Sequence, residues 1–413
     1  MVTHYSSNNK DQPGLSRTVL RLTILFIIAF AVFQTYPFLK SKWDGMFADE
    51  AAVSVVERAQ KEAEAGGLEA AAAVLDSALE TESDPSKRNA LLLERIGLAK
   101  KTEAWGDLVR LYEQLLGNSS NDPKRPLYVA GYGEALEKQQ RFEEARKQYE
   151  ALQKSAPSGM RSPALIGLGR LARLDNKMVE ARDLYRLALD DAAVNSEDWN
   201  TALDALGELN VTLSFSQIET PESKYYSIQS GDNLTDIGIK LNTTQGLLTR
   251  ANDITDPSKL HLGQMLKYTP KDFRIVIERS TCRLFLMDNQ GPFKRYYTGL
   301  GMEGHETTLG TYTIGSKQKD PTWFPANRPS VPPGDPENEL GSRWMPMVPA
   351  GEGLPSDLGI HGTVAPDSIG LYQSHGCPRM HNAEVEELYD LVVRSTPVEV
   401  VETIDWKSLS STS

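Results

Sequence analysis

The sequence predicts a multidomain chain: an all-α helical-repeat arm, then a small βααβ module, then a C-terminal domain that opens on a pair of strands. Three observations lead there. Apolar triplets recur at a near-constant interval through the first half of the chain, and a Gly-Asp turn near residue 231 joins a short strand to two short helices. Two strand-like runs, Arg274 to Ile277 and Leu284 to Met287, then stand close enough to pair. At 413 residues there is room for two or three separate cores.

The chain opens with a targeting pattern. Residues 22–39 carry no charge and are nearly all apolar at their start, with Arg17 and Arg21 before them and Lys40 and Lys42 after. A stretch of about 18 residues just spans a bilayer, so the reading is a cytoplasmic tail over 1–21 and a transmembrane signal anchor over 22–39. Everything beyond would then face outward, and the membrane is an expected partner. Ala29-Phe30-Ala31 also has the small-residue spacing of a cleavage site, which keeps removal of the segment open as an alternative. The formal charge of -12 offers no basic field to a polyanion, so nucleic acid is not an expected partner.

Residues 45–210 read as helices. Leu68-Ala71-Leu75, Trp105-Leu108-Tyr112, Phe142-Ala145-Tyr149 and Met178-Ala181-Tyr185 repeat every 36 or 37 residues, each triplet lying on one helical face. Gly133 and Gly169 fall in the preceding helices, where close packing calls for small residues. The pattern resembles tetratricopeptide repeats, whose period is about 34 residues. The resemblance implies a solenoid with a surface for a protein partner, while a spacer role is the plainer alternative.

After a linker over 214–223, residues 224–270 form the second module. Tyr225 to Gln229 reads as a strand, Ser230-Gly231-Asp232 as a turn, Asp236 to Lys240 and Thr244 to Ala251 as helices, and Leu260 to Tyr268 as a closing strand. The Ser-Gly-Asp-x-Leu entry, Arg250-Ala251-Asn252 and the late Leu-x-Gly-Gln resemble a LysM domain. The resemblance implies binding of N-acetylglucosamine-containing glycan strands near Gly231, Asp232, Asn233 and Leu234. Turn formation by Gly231 and Asp232 is the structural alternative. His261 is expected on the surface, since no second ligand stands at metal-binding spacing.

The last domain, residues 272–403, carries the chemistry. The chain has two cysteines, too few for a disulfide framework or a thiolate metal cluster. Cys282 lies by the strand pair and is expected to be packing. Cys377 stands in Ser374-His375-Gly376-Cys377-Pro378-Arg379-Met380, downstream of Ile360-His361-Gly362-Thr363. A thiol attacks as thiolate, so it needs a base, which His361 or His375 can supply, and positive potential, which Arg379 can supply. Gly376 permits a sharp turn and close substrate approach, leaving the amides of Gly376 and Cys377 to face an oxyanion. No metal or organic cofactor is called for.

These runs resemble the L,D-transpeptidase (YkuD-type) catalytic domain of bacterial cell-wall enzymes. So do Leu309 to Ile314, Asp320-Pro321-Thr322-Trp323 and Leu340 to Met345 upstream, and the helix near Glu384 downstream. The resemblance implies a mostly β domain in which Cys377 is the nucleophile, His361 the general base and the carbonyl of Gly362 its orienting group. It implies that His375 lines the oxyanion region while Ser374 and Arg379 fix the turn and the substrate. Pro378 departs from the family's usual aliphatic residue and removes an N–H beside the nucleophile. The proline- and glycine-rich stretch 321–349, with Trp323 and Trp344, is expected to form a lid over the substrate. Asn382 is expected to cap the following helix, with Val385, Leu388, Tyr389 and Val392 facing the sheet.

The implied function is attack on the L-centre carbonyl of a peptidoglycan stem tetrapeptide, release of D-alanine through a Cys thioester, and transfer to an amine of another stem peptide. L,D-carboxypeptidase activity, protein attachment to the wall and a non-catalytic wall-binding scaffold are the alternatives. The expected location is the bacterial inner membrane, single-pass, with the later domains facing the periplasm and wall.

Overall fold

A computed structural model describes residues 50–270, 272–325 and 328–409. The predicted anchor over 22–39 and the tail before it lie outside these residues. Among the described residues no helix is long and apolar enough to cross a membrane. The chain divides into two compact units between Ser120 and Asn121.

The first unit holds helices α1 (Glu50–Glu64), α2 (Leu68–Thr81), α3 (Pro85–Lys101) and α4 (Trp105–Asn118). Asp84 starts α3 by accepting the amides of Ser86 and Lys87, with Pro85 placed where its missing N–H costs nothing. The predicted faces are buried at Ala71 and Leu75 on α2 and at Leu108 and Tyr112 on α4. Buried Arg95 on α3 ties them together, reaching Asp76 at 3.0 Å and Asp107 at 2.9 Å.

The second unit begins with α5 (Arg125–Lys138), α6 (Phe142–Ser155), α7 (Ser162–Leu174), α8 (Met178–Asp191) and α9 (Glu197–Ser214). Tyr149 on α6 is fully buried between two glycines: a Cβ on Gly133 of α5 would lie 2.5 Å from its ring, and one on Gly167 of α7 would meet the other side. Gly169 serves Tyr185 of α8 in the same way. The repeat is also written in the backbone, because Gln140 and Asn176 take positive φ at equivalent turns of this unit. Phe142, the first residue of its triplet, is exposed, so the shared face is carried by the second and third positions.

The βααβ module pairs β1 (Lys224–Ser227) antiparallel with β2 (Met265–Tyr268) across α10 (Leu234–Lys240) and α11 (Gln245–Ala251). Helix α10 starts earlier than predicted because Asn233 is its cap, accepting the amide of Asp236. Thr244 caps α11 rather than belonging to it. The closing strand is shorter than predicted because Gly263, at φ +79°, turns the chain before Met265. Buried Lys267 donates to the carbonyls of Leu213, Ser216 and Ile218 at 2.6–2.9 Å, fixing the connecting segment against the module.

The C-terminal domain is built on a sheet in the order β10-β9-β7-β12-β3-β4-β5. Its strands are β3 (Arg274–Glu278), β4 (Arg283–Asp288), β5 (Gly291–Tyr297), β7 (Gly310–Ile314), β9 (Arg343–Pro349), β10 (Gly359–His361) and β12 (Pro397–Val401). Short β8 (Gln318–Lys319) pairs with β9, and β6 (Leu300–Gly301) pairs in parallel with β11 (Tyr372–Ser374). The turn at Asp288 to Gly291 joins β4 to β5. Cys282 stands instead in the turn between β3 and β4, buried and at φ 51°.

One face of the sheet is covered by α12 (Asn382–Leu391), through Val385, Leu388 and Leu391, and by Val392 directly after it. The other face carries Val276, Phe285 and Met287, which share a core with Leu165 of α7 and Leu203 and Leu206 of α9. The last repeat helices are therefore part of the C-terminal domain's own core. Asp204 grips Arg295 of β5 at 2.7 and 2.8 Å, and Asn210 donates to the carbonyl of Phe293. Helix α13 (Trp406–Leu409) closes this side, Trp406 lying edge-on to Trp199 and Phe285.

Candidate active site

The site forms where β10 ends and the chain leaves β11. His361, last residue of β10, is bound in parallel register to the segment after the cysteine: its N–H donates to the Pro378 carbonyl and its own carbonyl accepts from Met380. The N–H that Pro378 lacks takes no part in this pairing. The amide of Arg379 faces the other way, to the carbonyl of Gly299 at 2.8 Å. The proline thus sits in a ladder position that asks for no donor.

Gly376 adopts φ +115°, a conformation that strains an L side chain, and this turn carries Cys377 out of the core. The turn is held from beneath. Buried Thr307 donates to the Gly376 carbonyl at 2.7 Å and accepts the Gly301 amide at 3.1 Å, while Ser374 accepts the Gly376 amide at 3.2 Å. The amide of Gly376, expected to face an oxyanion, is engaged by Ser374 here.

The Cys377 thiol is partly exposed and directed at the Asp357 carbonyl, 3.8 Å away. Burial raises its pKa and Asp357 adds to the rise, while the Gly359 N–H and the Arg379 charge oppose it. His361 is buried, and its Nδ1 lies 2.7 Å from the Gly362 carbonyl, the contact that the family resemblance implied. Burial lowers its pKa to about 4, with Arg379 adding to the effect and the Gly362 and Glu339 carbonyls opposing it. At neutral pH the pair is a thiol and a neutral imidazole. A neutral imidazole has one N–H, so it serves one carbonyl at a time and keeps a lone pair on the other nitrogen.

Asn382 does not cap α12 through its side chain; His381 occupies the cap position. Asn382 turns back instead, accepting from Ser342 and Thr363 at 3.1 and 3.2 Å and donating to Thr363 at 2.9 Å. It clamps the segment after His361 to the segment entering β9. Trp344 of β9 lies 5.7 Å from the His361 ring and covers Gly359, where a Cβ would strike the indole.

The stretch before β9 folds as a stapled loop. Asn338, buried, donates to the carbonyls of Pro321, Val331 and Pro332. Trp323 pairs by backbone with Val331 and stacks under Arg328 at 4.7 Å, so it braces the loop. Glu339 on this loop reaches Arg379 at 3.1 Å. His375 is exposed and lies edge-on to His305, 5.6 Å between centroids. Glu339, Thr307, Asp357 and the clamping role of Asn382 were not foreseen, because no sequence spacing links these residues to the cysteine.

In the βααβ module, Asp232 accepts from the Gln229 amide and the Tyr226 hydroxyl, and Leu234 is buried in the small core. Gly231 adopts φ +88°. The structure thus gives these four residues turn, cap and core positions. His261 is exposed, and no group of three or more His, Cys, Asp or Glu able to hold a metal occurs among the described residues.

Comparison with known proteins agrees with this organisation. A family model described as the L,D-transpeptidase catalytic domain matches residues 272–400, one for the LysM domain matches 226–269, and one for the tetratricopeptide repeat matches 109–159 and 133–197. The chain is similar to YkuD of Bacillus licheniformis, provisionally named an L,D-transpeptidase, at 27% identity over 181 residues, covering 42% of this chain and 97% of that protein. It is similar to YqjB of Bacillus subtilis, provisionally named in the same way, at 30% identity over 132 residues, covering 31% of this chain and 71% of that protein. Among solved structures, the catalytic domain of an E. faecium L,D-transpeptidase matches at 20% identity and a TM-score of 0.26, covering 32% of this chain and 97% of that one.

Proposed function

This chain belongs to the L,D-transpeptidase family, and from that premise we propose that Cys377 is the nucleophile of a peptidoglycan-cross-linking reaction. The single observation that supports this most is the imidazole of His361, held 2.7 Å from the Gly362 carbonyl on a strand paired with the segment that follows the cysteine.

In this reading the proton stays on sulfur until a donor peptide excludes water. His361 then takes the proton as sulfur bonds to the L-centre carbonyl carbon of a stem tetrapeptide. The carbon–nitrogen bond breaks, the amine of D-alanine leaves with that proton, and a thioester remains. An amine of a second stem peptide attacks the thioester carbonyl, the carbon–sulfur bond breaks, and the thiol is restored. Arg379 supplies positive potential beside the reacting atoms, and Trp344 walls off one side of the imidazole. Ser374 shapes the turn, His375 stands exposed beside it, and Trp323 braces the loop that carries Glu339.

The LysM module, through the turn at Gly231 to Leu234, holds the glycan strand, and the repeat helices offer a surface to a protein partner. The enzyme works outside the cytoplasm, anchored by the apolar stretch 22–39. Incubation with purified disaccharide-tetrapeptide, followed by mass spectrometry, tests the acceptor: a cross-linked dimer lacking one alanine supports transpeptidation. Tripeptide alone would make water the acceptor, and absence of any Cys377-dependent product would refute the reading.

A further inference from the structure

The guanidinium of Arg379 is only half satisfied. It sits two residues after Cys377, with its side chain 13% exposed. Its Nη2 meets the Glu339 carboxylate at 3.1 Å, whereas its Nε is buried without a hydrogen-bond partner among the described residues. A carboxylate lying along the Nε and Nη2 edge would satisfy both donors at once, the paired geometry that guanidinium favours. Glu339 approaches from one side and reaches one of them.

Glu339 is also the residue whose main-chain carbonyl faces the His361 ring, in addition to that of Gly362. Its carboxylate is 41% exposed and can return to water. The loop on either side is fixed, by Asn338 through three carbonyls and by Gly341, which at φ +63° packs against Gly362 and Thr363. A movement confined to the Glu339 side chain would free Arg379.

We propose that the Nε and Nη2 edge of Arg379 is a binding site for a carboxylate of the donor peptide, that Glu339 is its internal competitor, and that arrival of the carboxylate displaces Glu339 from Arg379. The identity of the ligand as a peptide carboxylate rests on the transpeptidase reading; the competition does not. The charged groups facing the thiol are Asp357 and Arg379, and Arg379 is the one facing the base, with His305 and His375 beside the Gly376 turn.

The test is alkylation of Cys377 by neutral iodoacetamide and by iodoacetate, in which the thiolate displaces iodide and an S–C bond forms. Adducts are located by peptide mass spectrometry, because Cys282 is a second thiol. In the full chain, Glu339→Gln is expected to raise the iodoacetate-to-iodoacetamide rate ratio about three- to tenfold, the effect of one nearby unpaired charge in partly exposed surroundings. Adding Arg379→Gln should abolish the rise, and Glu339→Asp, which keeps the charge, should hold the wild-type ratio. An unchanged ratio in Glu339→Gln, or an equal gain for both reagents, would overturn the proposal. So would a Glu339→Asp ratio like that of Glu339→Gln, a comparison that decides the matter even if the double variant does not fold. Failure of D-alanine release with the expected ratios would remove only the transpeptidase reading.

Discussion

Acid should loosen this active site through one residue. The imidazole of His361 is held neutral, with its pKa lowered to about 4 by burial and by Arg379, against 6.5 for the free side chain. The unfolded chain therefore binds a proton between these values that the folded chain refuses. Stability tied to His361 is complete above pH 6.5 and is lost as pH falls toward 4. At 1.36 kcal/mol per unit of difference, the loss is about 2 kcal/mol at pH 5 and about 3 kcal/mol below pH 4. His361→Gln keeps a donor for the Gly362 carbonyl and removes the titration. Urea unfolding followed by tryptophan fluorescence at pH 7, 6 and 5 should show the wild type losing about 2 kcal/mol more than the variant between pH 7 and 5. Carboxylates that titrate in the same range act equally in both proteins and cancel. Equal losses in the two would refute the claim that His361 is buried neutral.

Gly167→Ala should lower the thermal midpoint of the second unit, since its Cβ would meet the Tyr149 ring while Gly133 blocks retreat on the other side. Overpacking of this kind costs about 1–3 kcal/mol, and Tyr149→Leu in the same chain should recover part of it, as read by calorimetry. Asn382→Ala removes three hydrogen bonds that clamp the segment after His361 to the entry of β9. It should reduce donor turnover at least tenfold with little change in far-UV circular dichroism, and unchanged turnover would assign the clamp to stability alone.

Much of this was legible in the sequence because it is written locally. The triplets at Ala71-Leu75, Leu108-Tyr112, Ala145-Tyr149 and Ala181-Tyr185 mark a buried face because helical periodicity puts side chains i and i+4 together. The spacing of Gly133 and Gly169 carried the packing of Tyr149 and Tyr185. The contact between His361 and the Gly362 carbonyl was implied by the family resemblance, and it joins adjacent residues. What escaped depends on long-range closure. Glu339, forty residues from Arg379, and Thr307, sixty-nine from Gly376, meet their partners only once the sheet is assembled. Asn382 looked like a cap because position and residue type fit, but its side chain turns toward loops the linear pattern does not place. The repeat helices read as a separate arm because their apolar face is periodic, and nothing in a period says that α7 and α9 cover a sheet whose first strand begins sixty residues after α9 ends.

The central claim, that Cys377 attacks a stem peptide with His361 as its base, is tested most directly by intact-protein mass spectrometry with disaccharide-tetrapeptide and no added acceptor. The expected product is an adduct equal to the donor minus alanine, located on Cys377, absent in Cys377→Ser and strongly reduced in His361→Gln. A folded wild-type protein that forms no such adduct, or one that forms it equally well without His361, would contradict it.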